Sequence, residues 1–333
     1  MTHATIEEIL SKRIMVLDGA MGTMIDSHAL DESSYRGLPF ATHPTQLMGC
    51  HELLCITAPH LIANIHKAYL DAGADIIKTN SFCANAIDLS HYQMQEYVAE
   101  INLEATKVAR EAAKFYTTIT PSKPRFVAGA VGPTTKICTQ STSGIPTQNL
   151  ISFELLTQLY TQQMTALVKG GVDLLLIETA VSIDGARAAL VAAIRTMEQC
   201  RRQLPIMLSV TINQSGLLLS GETLNDLLSL AHHYPIFSIG INCSHGASNI
   251  LPHLRYLAHN APCYISAHPN AGLPSASGSY NETARQMIDS MRPYAEEQLV
   301  NIVGGCCGTT PSHIDLLAQM VANQTPRKKH NQQ

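Results

Sequence analysis

Between residues 14 and 321 the chain repeats one pattern: a short apolar run ending in small or polar residues, then a stretch with the three- and four-residue apolar spacing of an amphipathic helix. The apolar runs fall at 14–17, 75–78, 125–131, 173–177, 205–210, 237–241, 263–266 and 300–303. Helices are expected at 59–72, 94–115, 153–169, 183–198, 224–232, 247–258, 282–297 and 311–321. Strict alternation implies parallel strands, and eight such units close a single-domain α/β fold, the (β/α)8 TIM barrel. The expected division is a lead-in helix at 1–13, the barrel over 14–323 and a polar, basic, frayed tail at 324–333. The stretch from Met24 to Pro59 has neither period and is expected to be a long loop beside Asp18.

Bulk composition narrows the classes of partner. Hydrophobic residues at 45% and charged residues at 14% supply a large core and exclude disorder. A net charge of −4 argues against nucleic acid as a partner. No apolar run approaches the roughly 20 residues that cross a bilayer, and residues 1–12 are polar, unlike a secretory signal. The expectation is a cytoplasmic protein with no membrane partner. Nine cysteines spread over 333 residues are not the dense, even framework of a small disulfide-bonded domain.

In such a barrel every strand ends on one face, where barrel enzymes place their chemistry. Asp18, Asn80, Glu178, Asn242, Cys243, His268, Cys306 and Cys307 all follow strand runs directly. The last pair lies in Gly304-Gly305-Cys306-Cys307-Gly308-Thr309-Thr310-Pro311, where glycines permit a close backbone approach or a positive φ. Thr309 or Thr310 there can cap a helix whose first residue is Pro311. Adjacent cysteines are compatible with a vicinal disulfide, with two buried apolar side chains or with metal ligation. Cys243, at the end of strand six and across the intervening end of strand seven, favours the last.

Three thiolates with an open fourth position are the pattern of a catalytic zinc. Such a centre carries a net charge of about −1, a poor generator of hydroxide but a good holder of an incoming thiolate. Alkylation of a substrate thiol therefore fits it best. Asp18 and Glu178 can be an acid–base pair, grip a substrate ammonium or simply hold loops, and the amides of Gly19, Ala20, Met21 and Gly22 can form a nest for a carboxylate. His268 can ligate, titrate or fix the Pro269–Pro274 loop, with the last favoured. The remaining cysteines are expected to pack.

The motifs Leu17-Asp18-Gly19-Ala20-Met21-Gly22-Thr23, Thr79-Asn80, Gly171 to Thr179, Gly240-Ile241-Asn242-Cys243, Ala267 to Pro274 and Asn301 to Pro311 resemble the homocysteine S-methyltransferase family. Within it they are most similar to the N-terminal homocysteine-binding module of cobalamin-dependent methionine synthases. The resemblance implies zinc on Cys243, Cys306 and Cys307, with L-homocysteine thiolate as fourth ligand attacking a methyl group. It implies that Asp18 and Glu178 hold the substrate amino group, with Gly19, Ala20, Met21, Asn80 and Asn242 as further substrate contacts. It also implies methylcobalamin as donor, carried on a separate cobalamin/folate-binding chain or module. Two departures bear on that donor: Lys78 stands where the branch usually has an acidic residue, and 135–148 is short and lacks the expected turn pattern. A self-sufficient transferase using S-methylmethionine or betaine, and a non-catalytic zinc- and homocysteine-binding protein, stay open as alternatives.

Overall fold

The computed structural model describes residues 4–139, 146–275 and 280–329. Eight parallel strands, β1 (Met15–Val16), β2 (Ile76–Lys78), β3 (Phe126–Val131), β4 (Leu174–Ala180), β5 (Ile206–Val210), β6 (Ser238–Gly246), β7 (Tyr264–Asn270) and β8 (Ile302–Val303), form one sheet in the order β1-β8-β7-β6-β5-β4-β3-β2. A parallel bridge between Leu17 and Ile76 closes the ring, giving the expected (β/α)8 barrel.

Strand alternation divides the core. In β4, Leu174 and Leu176 face the barrel interior with Met15, Leu17, Ile76, Ala128, Met207 and Ile302. Leu175 and Ile177 belong to the larger layer between strands and helices. The helix Ile6–Leu10 adds Ile6, Ile9 and Leu10 to the interior cluster, so the lead-in segment plugs the barrel. Each such fully buried Leu or Ile contributes on the order of 1.5–3 kcal/mol. Arg13 lays both guanidinium nitrogens on the buried Asp75 carboxylate at 2.7 and 2.8 Å, and the Val16 N–H donates to the same group, tying β1 to β2.

Three expectations are corrected. Residues 21–57 are not a structureless loop but hold short helices at Met21–Asp26, Glu32–Arg36, His51–Leu53 and Leu54–Thr57, each too short for a helical period to show. The long second helix begins at Val98 rather than Met94 and runs to Ile119, preceded by the short helices Ala86–Ser90 and Gln95–Tyr97. The tail is not frayed at Arg327: its guanidinium donates to the Ala258, Ala261 and Cys263 carbonyls at 2.7–2.9 Å, and the Asn301 side-chain amide donates to the Arg327 carbonyl. Of the 135–148 segment, 140–145 lie outside the described residues.

Strands β4, β6 and β7 run past their expected ends to Ala180, Gly246 and Asn270. Glu178, Thr179, Asn242, Cys243 and His268 are therefore strand residues, and the ladder shifts register between Ile177 and Ala180 and between Cys243 and Gly246. Such bulges turn side chains into the mouth. No helix among the described residues is long and apolar enough to cross a membrane.

Candidate metal centre and thiol site

Cys243 sits at the β6 bulge with φ 55°, and Ser244 follows at φ 58°, conformations that non-glycine residues take only when their surroundings impose them. Cys306 and Cys307 follow β8 in a turn fastened on both sides. The Cys306 N–H donates to the Pro269 carbonyl at 2.8 Å, the Ala271 N–H to the Cys307 carbonyl at 2.9 Å, and the Gly308 N–H to Thr23 Oγ1 at 3.0 Å. Gly305 is needed for close approach and not for a positive φ: an added Cβ would lie 2.4 Å from Thr309 Oγ1. Thr309 donates that hydroxyl to the Cys306 carbonyl, leaving Thr310 as the cap of the helix Pro311–Val321.

The three half-buried sulfurs meet as expected. Cys243 Sγ is 3.7 Å from Cys307 Sγ, Cys306 Sγ is 4.0 Å from Cys307 Sγ, and all three lie within 4.8 Å of one another. These separations are incompatible with a vicinal disulfide, and every cysteine is free. Sulfurs placed tetrahedrally at about 2.3 Å from one zinc ion are about 3.8 Å apart, so the cluster fits that ion nearly as it stands. The Cys307 thiol is pushed well down because Cys243, Cys306 and the Tyr280 hydroxyl all donate to it. Cys243 is pushed up as the donor.

Asn242 braces the cluster from behind. Fully buried, it accepts from the Thr179 N–H at 2.8 Å and from Ser209 Oγ at 2.7 Å, donates to Thr179 Oγ1 at 2.7 Å, and holds its Nδ2 3.9 Å from Cys306 Sγ. Its side chain is thus spent on protein partners.

A cavity of 770 Å³ borders the three cysteines, and Ala20, Met21, Lys78, Asn80, Glu178 and Thr179 also line it. Asp18 does not: it is 1% exposed, and Lys78, which lines the cavity, holds its ammonium 3.8 Å from Oδ1. The same ammonium is 3.6 Å from Glu178 Oε2. Burial pushes the Asp18 carboxyl up to about 7 against the pull of Lys78, and raises Glu178 likewise. His268 lies 3.7 Å from Glu178 Oε2, and burial followed by the nearby Lys78 charge lowers it to about 3, so it is neutral. Of the expected amide nest, the Ala20 N–H is already given to Thr309 Oγ1, and Gly19 packs against Thr309 and Tyr69. Asn80 lines the cavity while donating to the His51 carbonyl at 2.8 Å.

The residues not foreseen are Tyr280, Thr179 and a second wall made of His51, Glu52, Phe82, Asp88, His91 and Tyr92. That wall comes from the short helices after β1 and β2, which carry no long-range period.

Fold and site together define a (β/α)8 barrel with a candidate three-cysteine metal site on the wall of a cavity at its mouth. The family assignment is narrower: the homocysteine S-methyltransferase model matches residues 15–321, and the chain belongs to that family. Among solved structures it is similar to the homocysteine methyltransferase MmuM from Escherichia coli. The oxidised form superimposes with a TM-score of 0.71 at 23% identity, covering 92% of this chain and 95% of that one. The metallated form gives 0.71 at 22%, covering 93% and 97%. At that identity these likenesses speak for the fold.

Proposed function

We propose that the protein transfers a methyl group to the thiol of L-homocysteine, giving methionine, with zinc held by Cys243, Cys306 and Cys307. The observation that carries this reading is the tetrahedral spacing of three sulfurs on the wall of a cavity. A zinc ion there supplies the charge that keeps a substrate thiol ionised near neutral pH. Asn242 holds the Cys306 side of the cluster and Tyr280 the Cys307 side. Lys78 and Glu178 meet the polar end of the substrate. A reducing compartment such as the cytoplasm keeps the three thiols free.

For the donor we favour methylcobalamin on a partner chain or module, on the Ala267 to Pro274 motif. A small donor such as S-methylmethionine is the second reading, kept because Lys78 and the 135–148 segment depart from the cobalamin-dependent pattern. The test is methionine formation by the zinc-loaded protein from homocysteine with methylcobalamin, S-methylmethionine or betaine as donor. Turnover with the first supports the favoured donor, turnover with either of the others replaces it, and turnover with none overturns the assignment of activity.

A further inference from the structure

Lys78 ends β2 with its side chain buried and its ammonium inside the mouth. The position is fixed from three directions. Its main-chain N–H donates to Asp18 Oδ2 at 2.9 Å, and its Nζ lies 3.8 Å from Asp18 Oδ1 and 3.6 Å from Glu178 Oε2. Lys78 and Glu178 border the cavity, whereas Asp18 is covered. A ligand entering the mouth therefore meets Lys78 and Glu178 side by side, with Asp18 covered.

Withdrawing that cation is costly. Asp18 Oδ1 is buried and has no hydrogen-bond partner among the described residues, so Lys78 is the charge that compensates it. A substrate ammonium brought to the same carboxylates would sit beside a second ammonium in a low-dielectric pocket, where like charges repel most strongly. A carboxylate in that place would instead gain a buried, charge-assisted partner.

We propose that Lys78 determines substrate specificity: it occupies the place between Asp18 and Glu178 that a substrate ammonium would fill, and it selects thiols by their carboxylate. The preferred substrates are then short ω-mercaptocarboxylates, whether or not an α-amino group is present. The inference rests on the mouth being a thiol-methylation site, as proposed above.

Three thiols of matched chain length separate the possibilities: L-homocysteine, 4-mercaptobutyrate, which lacks the ammonium, and 3-mercaptopropylamine, which lacks the carboxylate. Their binding to the zinc-loaded protein is measured by titration calorimetry, so no methyl donor is involved. For the unmutated protein the expected order puts 4-mercaptobutyrate within about threefold of homocysteine and the amine at least about tenfold weaker, the scale of one charge-assisted contact. In Lys78→Met the preference reverses, the amine gaining and 4-mercaptobutyrate losing about tenfold each. Lys78→Gln serves if the methionine variant fails to fold, and the ranking on the unmutated chain needs no variant. A wild-type order with the amine at or above 4-mercaptobutyrate, or a ranking that the Lys78 variants leave unchanged, overturns this inference alone. Failure of all three thiols to bind overturns the thiol-site reading with it.

Discussion

Asn242 grips Thr179 at both ends of its amide, Oδ1 accepting the Thr179 main-chain N–H at 2.8 Å and Nδ2 donating to its hydroxyl at 2.7 Å. Thr179 has φ 60°, a conformation that a β-branched residue takes only when held there. The clamp joins the β4 bulge to the β6 bulge, next to which Cys243 presents its sulfur. Asn242→Ala leaves the Thr179 N–H and the Ser209 hydroxyl without their acceptor, at a cost of roughly 2–4 kcal/mol. It also frees the orientation of two of the proposed metal ligands, which is expected to lower zinc affinity about 10–100-fold. Urea denaturation and chelator competition measure the two effects separately. Loss of stability with unchanged zinc affinity would show that the clamp serves the fold alone.

Cys306→Ser and Cys307→Ser are expected to remove the metal and spare the barrel. Both side chains are only half-buried, and the barrel core is made by other residues. The predicted stability loss in the metal-free state is less than about 1 kcal/mol. Metal analysis after dialysis should fall from a full complement to near zero. Cys200→Ser, at the end of the helix Ile183–Cys200, is the control and should keep its metal.

The barrel was readable because its strands are continuous apolar runs and its helices carry a wide apolar stripe, so the alternation survives in the order of residues alone. The meeting of Cys243 with Cys306 and Cys307 followed from topology, since strands six and eight end on one face. Strand ends were another matter: polar Glu178, Asn242 and His268 look like loop residues, yet the main-chain ladder continues through them, with Glu178 lining the cavity and Asn242 and His268 buried. Lys78 was visible as an anomaly, but its seat between Asp18 and Glu178 depends on three strands at once. Tyr280 follows a Ser/Gly-rich stretch that carries no period, and Arg327 reads as part of a basic tail until its three carbonyl partners are seen.

Asp18 makes the stability of the metal-free protein depend on pH in a defined direction. Its folded pKa of about 7 lies above the ordinary 3.8, chiefly through burial, so the folded state keeps a proton that the unfolded state releases between those values. The contribution is full below pH 3.8 and is lost as pH rises through 7. His268, lowered to about 3, acts in the opposite sense between there and 6.5, so the test is a difference. The stability of the unmutated protein minus that of Asp18→Asn should fall between pH 4 and 7 by up to ~4 kcal/mol, measured by urea denaturation. A difference that stays flat or rises would sink the assignment.

His66 offers the cleanest pH test because it lies outside the mouth. It is fully buried on the helix Pro59–Asp71, with no hydrogen-bond partner for either ring nitrogen among the described residues, and burial lowers it to about 4. A folded pKa below the ordinary 6.5 means stability that is present above 6.5 and lost as pH falls through 4, because the unfolded chain takes up the proton first. Leucine fills a similar volume with no polar atoms to desolvate. His66→Leu should therefore be more stable than the unmutated protein by ~1–3 kcal/mol at pH 5, with a smaller gain at pH 8. Thermal melts at the two pH values decide it: a gain independent of pH would mean that the ring is not held neutral, and a loss at both would mean that its nitrogens have partners after all.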